Sequence, residues 1–380
     1  MRSKNLRPQR FFTLMGALLM GTGLLAQEDP EFPTIAPPTP TAASLHSYGN
    51  NSVNYYSGTV DVSIPLYTIQ EGNITVPIVL NYTGGNGIKV EEQASWVGLG
   101  WALNAGGAVS RVKRGVADED PIYGFMTYTE IPREIVNQSG SPVNTQFIRD
   151  IIDGKRDGEP DKFMYNTPSG SGSFFITRDT IRQKPFTDRR ITYATFVNDY
   201  SDSASQPNCY TTSGLDGFYI EDEQGLMYHF EEKERSNSRN VGGIYRNALC
   251  YPTTWQMTQI TDNNSNLSVG FEYNSFYYSN FRMVPTVVGR ENQSVGIVED
   301  YFLVKRLRKI THSQGSVEFI VSTSERKDLE GNYPLDRVII KDVEGSTVKE
   351  YHFNYKYLTA NDLVDDSPGM SVSKNNRLVL

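Results

Sequence analysis

Apolar and polar positions alternate with a period of two along much of this chain, and the alternating runs come in pairs, which predicts β-hairpins. Val60, Val62, Ile64 and Leu66 share one parity, with Asp61 and Ser63 between them. Ile74, Val76, Ile78 and Leu80 repeat the design, and Glu71-Gly72 supplies a turn between the two runs. The same plan returns downstream. Phe163 and Tyr165 answer residues 173–176 across Pro168-Ser169-Gly170, and residues 218–220 answer 227–230 across Glu223-Gln224-Gly225. Residues 255–260 answer 269–273 across Asp262-Asn263-Asn264, and 307–310 answer 317–320 across Gln314-Gly315. The last pair is 335–339 with 348–355, turning at Glu344-Gly345. Returning arms share the ending Phe271-x-Tyr273, Phe319-x-Val321 or Phe353-x-Tyr355. A hairpin that buries one face completes its core only by stacking on neighbours. The expected fold is all-β: extended antiparallel sheets built from successive hairpins, shell-like or sandwich-like, with irregular insertions.

The breaks in this pattern divide the chain. Residues 1–26 read as a signal peptide: Arg2, Lys4, Arg7 and Arg10 precede a short apolar core, and Ala26 offers a cleavage point. Residues 27–43 are a Pro/Thr-rich tether. An amino-terminal β domain is expected over 44–183, a polar surface excursion over 184–213 and a hairpin repeat region over 214–380. Within the first domain, residues 115–156 read as an insertion, in which 133–136 and 147–152 can form short helices or irregular loop. Residues 376–380 resemble the first arm of a further hairpin with no returning arm. An unpaired apolar strand edge is an aggregation liability, so this end suggests a truncated piece of a longer protein, or a sheet edge completed by a partner chain.

One stretch departs from the plain hairpin pattern. Trp96, Gly98, Gly100 and Trp101 place two indoles five residues apart with glycines between them. Asn104, Gly106 and Gly107 then form a turn, and a new strand runs through Arg111. Glycine in a strand context marks a bulge or the close approach of a ring or another backbone, and the tryptophans are the obvious rings. Two readings stand: core rings packed over glycine, or a platform for stacking sugars.

On residues 56–69 (YSGTVDVSIPLYTI) and 76–115 (VPIVLNYTGGNGIKVEEQASWVGLGWALNAGGAVSRVKRG), the chain resembles the amino-terminal region of large secreted RHS/YD-repeat proteins of Bacteroidetes. It is more distantly similar to the SpvB-like amino-terminal region of the insecticidal toxin-complex B component. Residues 157–176 (DGEPDKFMYNTPSGSGSFFI) fit the same pattern, and with the hairpins the resemblance covers most of 44–380. It implies the opening segment of a β-shell that encloses or presents a downstream effector. It also implies a cell-surface or outer-membrane destination in a Gram-negative bacterium, and further chain beyond Leu380. The family's self-cleaving chemistry lies in a carboxy-terminal core with no counterpart here.

Composition adds limits. Tyr (23), Phe (18) and Gly (32) are abundant, which favours strands and turns. The formal charge of −8 becomes −12 without residues 1–26, leaving 32 basic against 44 acidic residues. An acidic chain without a basic stripe argues against nucleic acid and against an anionic membrane surface. No membrane span is expected after signal cleavage. Cys209 and Cys250 can pair in an exported protein or remain two separate thiols, since geometry decides. His46, His229, His312 and His352 are scattered, and no HExxH, GxSxG or P-loop occurs. The acidic turn Asp157-Gly158-Glu159-Pro160-Asp161 has the oxygen chemistry of a calcium site but lacks EF-hand spacing, and reads as solvated turn carboxylates. Neither catalytic residues, nor metal ligands, nor a cofactor are assigned. The expected function is a non-catalytic structural module, with a binding module for polysaccharide or a surface partner as the alternative. A glycosidase is a third reading without a motif.

Overall fold

The structure is a computed structural model that describes residues 52–54, 59–84, 93–115, 117–121, 124–127, 148–152, 156–177, 180–197, 213–240, 251–288, 292–329, 331–359 and 376–380. The expected signal peptide, the tether, residues 133–136, His46, Cys209 and Cys250 lie outside the described residues. What is described is mostly β, in large antiparallel sheets of hairpins that do not close into a barrel.

The smaller sheet holds β1 (Ser52–Asn54), β2 (Thr59–Glu71), β3 (Ile74–Gly84) and β4 (Trp101–Asn104), in that order. β2 and β3 meet at a two-residue turn, Gly72-Asn73, with Gly72 at φ +59°, the left-handed first position that such hairpin turns give to glycine. On β3 the inward face is the expected one, with Ile74, Val76, Ile78 and Leu80 all buried. On β2 it is not. A bulge between Pro65 and Tyr67 shifts the register, so Leu66 and Ile69 are buried while Ile64 is exposed. One extra residue reverses which parity faces the core.

The larger sheet has 13 strands. Its first members are β5 (Ala108–Val112), β6 (Lys162–Thr167), β7 (Gly170–Ile176), β8 (Ile181–Lys184) and β9 (Arg190–Val197). β10 (Ser213–Glu221), β11 (Leu226–Asn240), β12 (Pro252–Asp262) and β13 (Leu267–Val288) follow. β14 (Asn292–His312), β15 (Gly315–Val321), β16 (Leu335–Asp342) and β17 (Thr347–His352) complete it. The five downstream hairpins predicted from the alternation are β6–β7, β10–β11, β12–β13, β14–β15 and β16–β17. Further pairings of consecutive strands, β7–β8 and β13–β14 among them, were not foreseen. β13 and β14 pair from Gly270↔Thr311 to Val288↔Asn292, so the link between two predicted hairpins is itself a long hairpin.

Two further expectations change. Within the stretch expected as a polar surface excursion, 184–213, residues 190–197 form β9, which pairs along β10 and buries Ile191. Its Ile-Thr-Tyr-Ala-Thr-Phe-Val sequence is β-branched and aromatic, and that composition outweighs the polar residues around it. Strands from the expected 44–183 and 214–380 regions also share one sheet, because β5 pairs with both β6 and β12.

Both sheets contribute to a single core. Its centre is an aromatic cluster. Phe163 stacks on Phe174 at 5.2 Å, and Phe218 meets Trp255 edge-on at 4.8 Å. All four rings are fully buried, and the Trp255 indole N–H donates to Leu215 O at 3.2 Å. The β6–β7 hairpin, β10 and β12 meet through these rings. Trp255→Ala should cost about 3–5 kcal/mol, read as a lower urea midpoint at unchanged slope; a shift under about 1 kcal/mol would contradict this arrangement of the core.

Candidate functional site

The Trp/Gly motif forms a compact turn at the meeting of the two sheets. Gly98 N donates to Ser95 O at 3.2 Å and Trp101 N to Gly98 O at 3.2 Å. The Ser95 hydroxyl donates to Trp101 O at 2.6 Å and accepts from Val97 N at 3.1 Å. Gly98 (φ +104°) and Gly100 (φ +74°) sit in the left-handed region. The rings do not lie where the spacing suggested. A Cβ on Gly100 would stand 2.7 Å from the Tyr82 ring, and one on Gly98 would stand 2.9 Å from Leu380 N. Trp101 packs on Tyr82 at 5.0 Å, whereas Trp96 is buried under the Arg306 guanidinium at 5.7 Å. Neither indole is an open sugar platform.

Around this turn the carboxy-terminal half of the chain gathers. Leu335 N donates to Trp96 O at 2.8 Å, and Arg326 donates to Ala94 O and Ser95 O. Leu99 N donates to Leu378 O at 2.8 Å. The expected dangling end is therefore not dangling. β19 (Asn376–Val379) pairs antiparallel with β18 (Lys356–Thr359), and Leu378 is fully buried. Its returning arm precedes it in sequence rather than following, so no pattern ahead of Leu380 could have shown it.

Asn104, Gly106 and Gly107 make a crossing between sheets rather than a hairpin turn. Asn104 pairs with Val79 in the small sheet, while Ala108 already pairs with Asn166 in the large one. A Cβ on Gly107 would stand 2.1 Å from Asn166 O, so only glycine fits.

Arg111, at the far end of β5, holds a buried acidic cluster. Its Nε donates to Asp161 Oδ2 at 2.7 Å, its Nη1 donates to Glu119 Oε1 at 2.9 Å, and its Nη2 contacts both carboxylates. The Asp161 carboxylate also accepts from Arg114 N and Asp118 N, and Asp161 N donates to both oxygens of Asp118. Next to this, the Tyr251 hydroxyl donates to Asp120 at 3.0 Å. The turn carboxylates Asp157 and Asp161, expected to be solvated, are buried together with Asp118. The weak periodicity of 115–156 hid this, because residues 117–120 contribute side chains to a network rather than to a strand face.

Asp118, Asp157 and Asp161 each bring one carboxylate oxygen within 4.8 Å of the others. An oxygen-only set of this kind suits a hard cation; without one, protons relieve the same repulsion. Burial, then the charge of Asp161, raises Asp118 to about 8 and Asp157 to about 7. Burial also raises Asp161, with Arg111 opposing.

His229 lies edge-on to Tyr219 at 5.4 Å, His312 is 3.8 Å from Glu71, and His352 is on the exposed strand β17. Burial lowers the first two, and the structure brings none of the three together. No helix among the described residues is long and apolar enough to cross a membrane. Comparison with family models, with curated proteins and with solved structures finds no match to any of them.

Three outcomes are expected. Gly100→Val combines a left-handed backbone with a ring at 2.7 Å and should destabilise by about 2 kcal/mol or more; unchanged thermal stability and solubility would refute the packing. Arg111→Ala strands buried carboxylates and should cost about 3–5 kcal/mol at neutral pH, with a smaller loss expected for Asp120→Asn in the same denaturation series. Unfolded aspartates titrate near 4, so between roughly pH 4 and 8 the folded chain holds extra protons on Asp118 and Asp157. Their contribution to stability is fully present below that window and falls as pH rises through it. Melting curves in chelator should decline from pH 5 to 8, less steeply for Asp118→Asn; equal slopes would refute the raised carboxylates.

Proposed function

We propose that this chain is a non-catalytic structural module, the opening segment of an RHS-like β-shell that encloses or presents a downstream effector at the cell surface. The observation that carries the reading is how the large sheet grows. The hairpins join one another through antiparallel pairings such as β5–β12, β11–β12 and β11–β14, and the sheet ends open: among the described residues β8, β9 and β17 each have one strand partner. Antiparallel hairpins added edge to edge make a wall, and a wall needs no reactive centre.

The resemblance on residues 56–69, 76–115 and 157–176 supports the same reading, and so does the basic-then-apolar start of the chain for export. The paired β19 removes one argument that favoured it, namely an unpaired final strand. The open edges take its place, and β17 is blunted by Lys349 and Glu350, a common protection against unwanted pairing. The natural partner of these edges is further chain of the same kind, or a second chain that completes the sheet. The alternative of a binding module that holds polysaccharide or a surface partner through exposed Tyr and Trp is weakened at the tryptophans, since Trp96 and Trp255 are buried and Trp101 is half-buried against Tyr82.

Reading the gene beyond Leu380 tests the proposal. An open frame that continues into further Phe-x-Tyr hairpins and a distinct carboxy-terminal domain is expected. A stop codon there, with a product that behaves as a soluble monomer, would overturn it.

A further inference from the structure

A cleft of about 350 Å³ opens beside the crossing between the sheets, walled by Trp96, Asn104, Asn166, Glu234, Gln256 and Arg306 among others. Arg306 is the unusual member. Its Nε is buried without a hydrogen-bond partner. Two buried guanidiniums elsewhere in the core are neutralised: Arg111 by Glu119 and Asp161, and Arg326 by Asp328. Arg306 has the Trp96 face at 5.7 Å and, among the described residues, no ion pair. The neighbouring Lys305 ammonium is taken by Glu232 at 2.8 Å and Ser275 at 2.9 Å.

Glu234 stands on the same wall, close enough to act on Arg306 electrostatically without pairing with it. Its Oε1 accepts from Lys305 N at 2.8 Å and from Gln256 at 3.1 Å. Its second oxygen takes no hydrogen bond among the described residues. Arg306 is half-buried, and burial lowers it; a guanidinium stays charged in a protein, and its buried Nε without a partner is costly.

We propose that this cleft binds a hydroxylated carboxylate of monosaccharide size, a hexuronate, with its carboxylate on the Arg306 fork and a hydroxyl donating to Glu234. The guanidinium fork matches a carboxylate with two parallel hydrogen bonds. The carboxamides of Asn104, Asn166 and Gln256 suit a polyhydroxylated ring, and the volume is in the lower range of small-ligand sites. Trp96 is covered by Arg306, so charge rather than ring stacking selects the ligand. This site is independent of the shell reading and would serve a wall that faces acidic polysaccharide.

Isothermal titration of the purified chain with sodium galacturonate, galactose and inorganic phosphate tests it. Galacturonate should bind at least tenfold more tightly than galactose or phosphate, and Arg306→Met should weaken it at least tenfold with the circular dichroism unchanged. If that variant does not fold, Arg306→Lys keeps the charge without the fork and should also weaken binding about tenfold. No heat with galacturonate, equal affinity for galactose, tighter binding of phosphate, or unaltered affinity in the folded variant would each overturn the proposal. The gene reading beyond Leu380 is unaffected by any of these outcomes.

Discussion

The close approach at Gly107 is the constraint on which the rest of the structure depends. Three residues, 105–107, carry the chain from the small sheet to the large one, and a Cβ on Gly107 would meet Asn166 O at 2.1 Å. Met257 N donates to Gly107 O at 3.0 Å, so this short crossing is held to β12 by a backbone hydrogen bond. Because the crossing is tight, β3 and β4 must lie near β5 and β12. The buried faces of the two sheets then have no option but to share one core. Phe271 against Gly106, at 3.0 Å from where a Cβ would stand, closes the same joint from the long hairpin.

Two other devices hold the joint from either end. On one side the Trp96 turn offers backbone groups, and β16, Arg326 and β19 take them. Backbone donors and acceptors in a buried turn must find partners, which explains why a segment near Leu380 is recruited to residues 98–99. On the other side, Arg111 binds Glu119 and Asp161 and ties residues 117–120 to the acidic turn. The charge balance there is unfavourable to anions, since one guanidinium faces several carboxylates. Protons on Asp118 and Asp157, or a cation between them, offset the surplus.

The proposed structural role and the proposed ligand cleft are compatible uses of one wall. The sheet is stiffened where its strands are bonded on both sides, and the Arg306 cleft lies beside the crossing, where the backbone is most constrained. A guanidinium held over an indole ring in such a place is already oriented, so a carboxylate would meet it without first ordering the side chain. The buried acidic cluster differs in kind. It is closed by its own hydrogen bonds and bears on stability.

The sequence by itself determined the fold class and the strand partners of six hairpins, β2–β3 and the five downstream. Those are local properties: a period of two, β-branched and aromatic arms, and Gly, Asn or Asp at the reversals. It also marked residues 96–107 as exceptional through glycine and tryptophan spacing. Only the tertiary structure decided what those glycines meet. The ring against Gly100 is Tyr82, and the backbone against Gly98 belongs to Leu380, 282 positions away in the numbering. The bulge at Pro65–Tyr67, the β13–β14 hairpin and the pairing of β19 with an earlier strand were hidden for the same reason. Alternation says which residues share a face, but not which face is covered or by what. The burial of Asp118, Asp157 and Asp161 and, among the described residues, the lack of an ion pair at Arg306 were equally beyond the sequence. A charged residue reads as solvated until distant strands close over it.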